Sequence, residues 1–242
     1  MRYVLVTGSS RGIGAATHAA LEARGVRVIG HASSEGADPA IIGADFADPM
    51  GAQTLWNAAL EQADGQIACL VNNAGLFAAN PLDASDIEWL DAWEDTLRIN
   101  LTAAAQLSRF AVRHWQQRAA DADGVRGRLV HVASRAAYRG DSPAHWHYAA
   151  AKGGMVAMHK TIARAYAGAG ILSYAVTPGF TDTAMAGDYL ESRGGPGLLA
   201  DIPLGRVAEP EEIARIVAFC ALDAPPSMTG AVIDANGASF VR

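Results

Sequence analysis

Tyr148 and Lys152 stand four residues apart in an alanine-rich stretch, Tyr148-Ala149-Ala150-Ala151-Lys152. On a helix that spacing puts both side chains on one face, one turn apart. A phenol with an ordinary pKa of about 10 exchanges protons poorly at neutral pH. An ammonium beside it favours the phenolate. A fall of about three units corresponds to roughly 4 kcal/mol, within reach of two cations in a dry cleft, the ammonium and a positive charge on a bound molecule. The phenol would then suit general acid–base work on the oxygen of a carbonyl or an alcohol. On an exposed helix the same pair would be a solvated Tyr beside a solvated Lys. Ser134 argues for the first reading, because it ends the apolar run Leu129-Val130-His131-Val132-Ala133, where a parallel strand delivers side chains to a site. A nucleophilic role for Ser134 lacks the G-x-S-x-G elbow it needs.

Near the N-terminus, an apolar run passes into Thr7-Gly8-Ser9-Ser10-Arg11-Gly12-Ile13-Gly14. Glycines allow a sharp turn and close approach of backbone N–H groups, and a following helix contributes its positive end, so the segment suits a pyrophosphate. The spacing is G-x-x-x-G-x-G, unlike the general dinucleotide fingerprint. A plain strand-to-helix turn is the alternative, and position after the first strand of an α/β chain favours the nucleotide.

The elements that must position these residues alternate. Strands are expected at 3–7, 26–31, 67–71, 128–133, 171–176 and 231–234, with a weaker one near 41–44. Most are apolar nearly throughout, as strands covered on both faces must be. Helices are expected at 13–24, 49–63, 87–118, 148–168 and 210–222. Pro49 and Pro210 mark first turns, and Gly25 marks a stop. The stretch 32–40 is too short for a crossover helix and reads as a turn. This pattern predicts an α/β fold over residues 1–242: one doubly wound Rossmann-type domain with a parallel sheet of about seven strands and helices on both faces. Residues 184–201 read as a lid over the substrate.

The glycine loop at 7–14, Asn72-Asn73-Ala74-Gly75, Asn100, Ser134, the Tyr148/Lys152 pair and Pro178-Gly179 follow one another along nearly the whole chain. In that order and at those places they resemble the short-chain dehydrogenase/reductase family, in which 3-oxoacyl carrier-protein reductases and sugar and steroid dehydrogenases share these motifs. The resemblance implies an oxidoreductase interconverting a ketone and a secondary alcohol by hydride transfer. Tyr148 is then the acid/base, Ser134 holds the substrate oxygen, and Lys152 and Asn100 supply a proton relay through a water. A structural duty for Asn100 inside its helix is the alternative. The resemblance also implies cofactor contacts from Gly8, Ser10, Arg11, Gly12, Ile13 and Gly14 in the loop, and from Asp45 and Phe46 at the adenine. Asn73, Ala74 and Gly75 line the ribose, and Pro178, Gly179, Thr181 and Thr183 the nicotinamide side, with Tyr148 and Lys152 completing the set.

An NAD site usually carries an acid at the end of the second strand. Here that place holds His31, followed by Ala32, Ser33 and Ser34, with Glu35 somewhat later. Arg11 resembles the basic residue that NADP-preferring members carry, so NADP(H) is expected over NAD(H). An NAD-dependent alcohol dehydrogenase and a non-catalytic dinucleotide-binding regulator are the alternatives. The last would be expected to have lost one of Asn100, Ser134, Tyr148 and Lys152.

Half of the 242 residues are hydrophobic, and 19 basic residues face 25 acidic ones, for a net charge of −6. That balance argues against nucleic acid or an anionic membrane as partner. Cys69 and Cys220 make no zinc spacing and no disulfide framework, and a cytoplasmic protein is expected. No metal is expected either, since the adjacent His145, Trp146 and His147 do not converge on one ion. Arg135 and Arg139 flank the mouth, where they are candidates to meet an anionic substrate. Trp56, Trp89, Trp93 and Trp115 are expected to pack helices. Small residues at Ala103-Ala104-Ala105 and Ala149–Ala157, with the family resemblance, lead to an expected homotetramer.

Overall fold

A computed structural model describes residues 3–36, 38–183 and 195–242. Strands β1 (Tyr3–Val6), β2 (Arg27–Ala32), β3 (Ile41–Gly43), β4 (Ile67–Asn72), β5 (Gly127–Val132), β6 (Ile171–Pro178) and β7 (Val232–Ala235) form one sheet. Its order is β3-β2-β1-β4-β5-β6-β7, every pair parallel. The helices are α1 (Gly12–Glu22), α2 (Gly51–Gln62), α3 (Asp86–Leu97), α4 (Ala103–Gln116), α5 (Ala136–Arg139), α6 (Trp146–Tyr166), α7 (Gly195–Ala200) and α8 (Pro210–Leu222).

Strand periodicity divides the core. Val4 and Val6 join Leu21, Ile213 and Val217 on the face covered by α1 and α8. Leu5, between them, joins Leu55, Trp56, Leu107 and Trp115 on the face covered by α2 and α4. Both faces of β1 are therefore buried, as a central parallel strand requires. The winding reverses at β1, which lies between β2 and β4. A crevice consequently opens beyond the carboxyl ends of these strands.

The seven strands lie within a residue or two of their expected places, and the described residues of 32–40 contain turns and no crossover helix. Two helix expectations need correction. Pro49 is not in the first turn of α2, because Asp48 first makes its own turn, accepting from the Met50 and Gly51 amides, and the helix starts at Gly51. The expected helix over 87–118 is two helices separated by one π-helical turn, Arg98–Thr102. Such turns carry one extra residue and accompany functional sites. Here the turn presents Asn100 inward.

Candidate active site

The first half of the site is main chain. Thr7 ends β1 with its hydroxyl donating to the Val71 carbonyl and accepting from the Asn73 and Ala74 amides, at 2.9 and 3.0 Å. Asn73 Nδ2 donates back to the Thr7 and Gly8 carbonyls at 2.9 and 3.0 Å. These bonds lash the glycine loop to the segment after β4. A Cβ on Gly14 would lie 1.9 Å from the Gly8 carbonyl oxygen, so only glycine lets α1 start this close to the loop. No side chain caps α1, and its first turn carries no acid. The leading N–H groups of that helix are thus left for an anion. The chain's own residues fit a dinucleotide diphosphate there.

At the end of β2 there is no carboxylate. His31 is buried, and Ser33, Ser34 and Glu35 are exposed beyond it. Both His31 ring nitrogens are bonded inside the protein: Nδ1 accepts from the Gly8 amide at 3.0 Å, and Nε2 donates to the Ala44 carbonyl at 2.7 Å. Its ring stacks on Phe46 with centroids 4.2 Å apart. Asp45 is exposed and accepts from the Ala47 amide at 2.9 Å.

The second half is side chains. Ser134 follows β5 and is fixed by the Ala136 amide, which donates to its Oγ at 3.1 Å. Its hydroxyl stands close enough to the Tyr148 hydroxyl to oppose the rise of the phenol's pKa. Lys152, one turn along α6, is buried; its Nζ donates to the Val132 carbonyl at 2.9 Å and lies 5.8 Å from the Tyr148 ring centre. Asn100 is fully buried, with Nδ2 donating to the Leu76 carbonyl at 2.8 Å and Oδ1 accepting from the Leu76 amide at 2.6 Å. Its side chain therefore holds the loop after β4, the structural duty weighed against the relay. The same oxygen and Lys152 Nζ each stand within 3.6 Å of where a Cβ on Gly75 would lie.

Of the two cations expected to lower the phenol, the chain itself supplies one, Lys152, and burial works against it. Burial pushes the Tyr148 phenol up to about 12, the Ser134 hydroxyl opposing it and the Asp141 carboxylate adding to it. Burial also brings the Lys152 ammonium down to about 8. Loss of hydration is the largest influence, so the chain's own residues keep the phenol protonated.

These groups line one cleft of about 600 Å³. Gly8, Ser10, Arg11, Gly12, Ile13, Gly14, His31, Ser33, Asp45, Phe46, Asn73, Ala74 and Gly75 lie on its wall with Ser134, Tyr148 and Lys152. Pro178, Gly179, Thr181 and Thr183 close it beyond β6; of the expected site residues only Asn100 is set behind the wall. Arg139 is held by Asp201 at 2.7 Å, and the Arg135 guanidinium lies 4.6 Å over the Phe180 ring. Trp56 and Trp115 are core, whereas half-buried Trp89 and Trp93 stack on each other and Trp89 meets Trp146 edge-on. Residues 184–194 of the expected lid lie outside the described residues.

Two residues escape the sequence reading. Phe77 packs edge-on against Tyr148 at 4.8 Å and stacks on His145 at 4.1 Å. Asp141 is an exposed carboxylate on the cleft wall. Neither belongs to a spaced motif, and a short apolar or acidic loop residue carries no signal of its own.

Residues 8–237 match a family model described as enoyl-(acyl carrier protein) reductase. The chain is 33% identical to the 3-oxoacyl-(acyl-carrier-protein) reductase of Escherichia coli (strain K12), over 99% of this chain and 98% of that protein. It is 34% identical to the enzyme of the same name from Haemophilus influenzae, with the same coverage. Among solved structures, a putative NAD(P)-dependent gluconate 5-dehydrogenase from Beutenbergia cavernae, with bound NADP at low occupancy, superposes with a TM-score of 0.85 at 29% identity. That match covers 98% of this chain and 95% of the other. A putative 2-deoxy-D-gluconate 3-dehydrogenase from Agrobacterium tumefaciens, with bound NADP, gives 0.84 at 26% identity, covering 100% of this chain and 97% of the other.

Proposed function

The chain belongs to the short-chain dehydrogenase/reductase family of NAD(P)-dependent oxidoreductases acting on CH–OH and C=O groups, and from that premise we propose that it interconverts a ketone and a secondary alcohol with NADP(H), Tyr148 exchanging the proton. The observation that carries this reading is the convergence of Ser134, Tyr148 and Lys152 at one end of a cleft whose other end is a glycine cradle. Bound in that cleft, a nicotinamide cofactor would supply or accept the hydride. Ser134 donates a hydrogen bond to the substrate oxygen and holds it beside the phenol. In the reducing direction Tyr148 gives its proton to that oxygen, and its high pKa keeps it in the donor form. Lys152, charged below about pH 8, steadies the phenolate left behind. Asn100 fixes the loop that faces this pair. Preference for NADP(H) rests on His31 standing where an acid would repel the 2′-phosphate, on Arg11, Ser33 and Ser34 at the same rim, and on NADP in both structural relatives.

A homotetramer belongs to the same proposal. Ala103 and Ala104 are buried inside the protomer, and the alanines that α6 leaves exposed for a partner are Ala150, Ala157 and Ala165.

Tyr148→Phe tests the mechanism. General acid–base catalysis contributes about 10²- to 10⁴-fold, so kcat for a ketone that the wild type reduces should fall by about 10³. NADPH affinity, measured by fluorescence titration, should stay unchanged. A variant that keeps most of its turnover refutes the role.

A further inference from the structure

The turn that opens the glycine loop is tied to β2 at one residue. The Ser9 amide donates to the His31 carbonyl at 2.8 Å, and the His31 amide donates to Ser9 Oγ at 2.9 Å. Gly30 makes room for this pairing, because a Cβ there would stand 2.4 Å from the Ser9 hydroxyl. The His31 ring adds the third tie, to the Gly8 amide, and reaches across to the Ala44 carbonyl ahead of Asp45 and Phe46. A carbonyl oxygen can only accept, so Nε2 carries the proton and Nδ1 is the acceptor for Gly8. One neutral tautomer satisfies both bonds, and burial, the largest influence on this ring, lowers its pKa and keeps it neutral.

We propose that His31 is a positioning residue: its ring, clamped between the Gly8 amide and the Ala44 carbonyl, holds the glycine loop in the shape that receives the dinucleotide. This rests on the NADP(H) reading above. It gives His31 a different task from the one suggested by its place at the end of β2, since a ring with both nitrogens engaged has no donor left for a ribose or a phosphate. The Gly8 amide, taken up by His31, is likewise withdrawn from the anion, which is left to the uncapped start of α1.

Three substitutions separate the two bonds. Asn places an oxygen where Nδ1 stands and keeps the Gly8 tie while losing the Ala44 tie. Gln places its amide where Nε2 stands and does the reverse. Phe keeps the stack on Phe46 and loses both bonds. For His31→Asn the NADPH dissociation constant should stay within about threefold of wild type, and for His31→Gln and His31→Phe it should rise tenfold or more. KM for NADPH should follow the dissociation constant, with kcat at saturating cofactor unchanged, because Tyr148 lies at the other end of the cleft. A merely structural residue would lower the melting temperature without separating Asn from Gln in affinity. Equal affinities across the three variants, or equal losses for Asn and Gln, overturn the proposal while wild-type binding leaves the cofactor reading intact. Wild-type protein that binds neither dinucleotide refutes that reading instead, and this inference with it. The unmodified protein offers a second test that no folding defect can spoil. Its imidazole ¹⁵N spectrum should show His31 protonated at Nε2 alone, and an Nδ1–H tautomer overturns the clamp.

Discussion

Around the glycine loop the cleft is built of main chain held by neutral hydrogen bonds: Thr7, Asn73 and His31 each tie backbone to backbone. Beyond β5 it is built of ionisable side chains, Tyr148 and Lys152, whose protonation is governed by burial. The first region can be damaged by a single methyl group and depends on one titratable group, His31, which burial keeps neutral. The second tolerates changes of shape better than changes of charge. A dinucleotide makes the same demands throughout the reaction, whereas the substrate oxygen gains and loses a proton, so rigidity suits one region and a titratable group the other.

The largest effect should follow from crowding the first region. Gly14→Ala sets a Cβ against the Gly8 carbonyl oxygen, which belongs to backbone and cannot rotate away. NADPH affinity should drop at least a hundredfold, with a stability loss of about 1–3 kcal/mol, the range typical of overpacking. Gly168→Ala, where nothing lies within 4 Å of the added carbon, is the matched control and should change neither. Calorimetric titration and urea unfolding read both quantities. Equal behaviour of the two variants would show that the loop is not held in the shape described.

The second region is broken by titration. Because Tyr148 is pushed up to about 12, an ultraviolet difference titration of the cofactor-free wild type against Tyr148→Phe should show no phenolate from this residue below about pH 10. Ketone reduction should be nearly flat up to about pH 7 and about halved near pH 8. It should then decline by as much as tenfold per pH unit as Lys152 loses its charge, since its pKa is brought down to about 8. A Tyr148 phenolate at pH 7 to 8 would restore the value that the Tyr148/Lys152 spacing suggests and remove the contrast between the two regions.

That spacing also shows how far the sequence could be read. Apolar runs, glycine spacing and chain order were enough for the sheet, the crevice and the glycine loop, because each depends on backbone geometry that residue type reports directly, whereas most other wall residues were implied by the family resemblance. The spacing of Tyr148 and Lys152 reports that they share a helix face, but not the loss of water around them, which depends on how β5, α4 and α6 close over them. His31 could be recognised as a missing acid, while its clamp on Gly8 could not, since that depends on Gly30 and Ser9 meeting across two strands. The π-helical turn was hidden because Arg98-Ile99-Asn100-Leu101-Thr102 keeps a helical pattern, and only the Asn100 bonds to Leu76 reveal why the helix widens there.

The smallest expected effect concerns what lies behind the catalytic side chains. His131 on β5 is fully buried; its Nδ1 meets Asn72 Nδ2 at 3.3 Å, and its Nε2 has no partner among the described residues. The His159 ring is 5.8 Å away. Burial first, then His159 and Lys152, lower the His131 pKa to about 3. In the unfolded chain it returns to about 6.5. Between those values the unfolded state binds a proton that the folded state refuses, so stability is full above about pH 6.5 and is lost as pH falls towards 3. One such group contributes a slope of about 1.4 kcal/mol per pH unit. His131→Asn keeps an acceptor towards Asn72 and removes the titration. Urea unfolding between pH 6 and 4 should therefore show a wild-type slope steeper than that of His131→Asn by about 1.4 kcal/mol per pH unit. Equal slopes would mean that the protein admits a proton or enough water behind Lys152, and the low-dielectric layer invoked to raise Tyr148 and lower Lys152 would then lose its support.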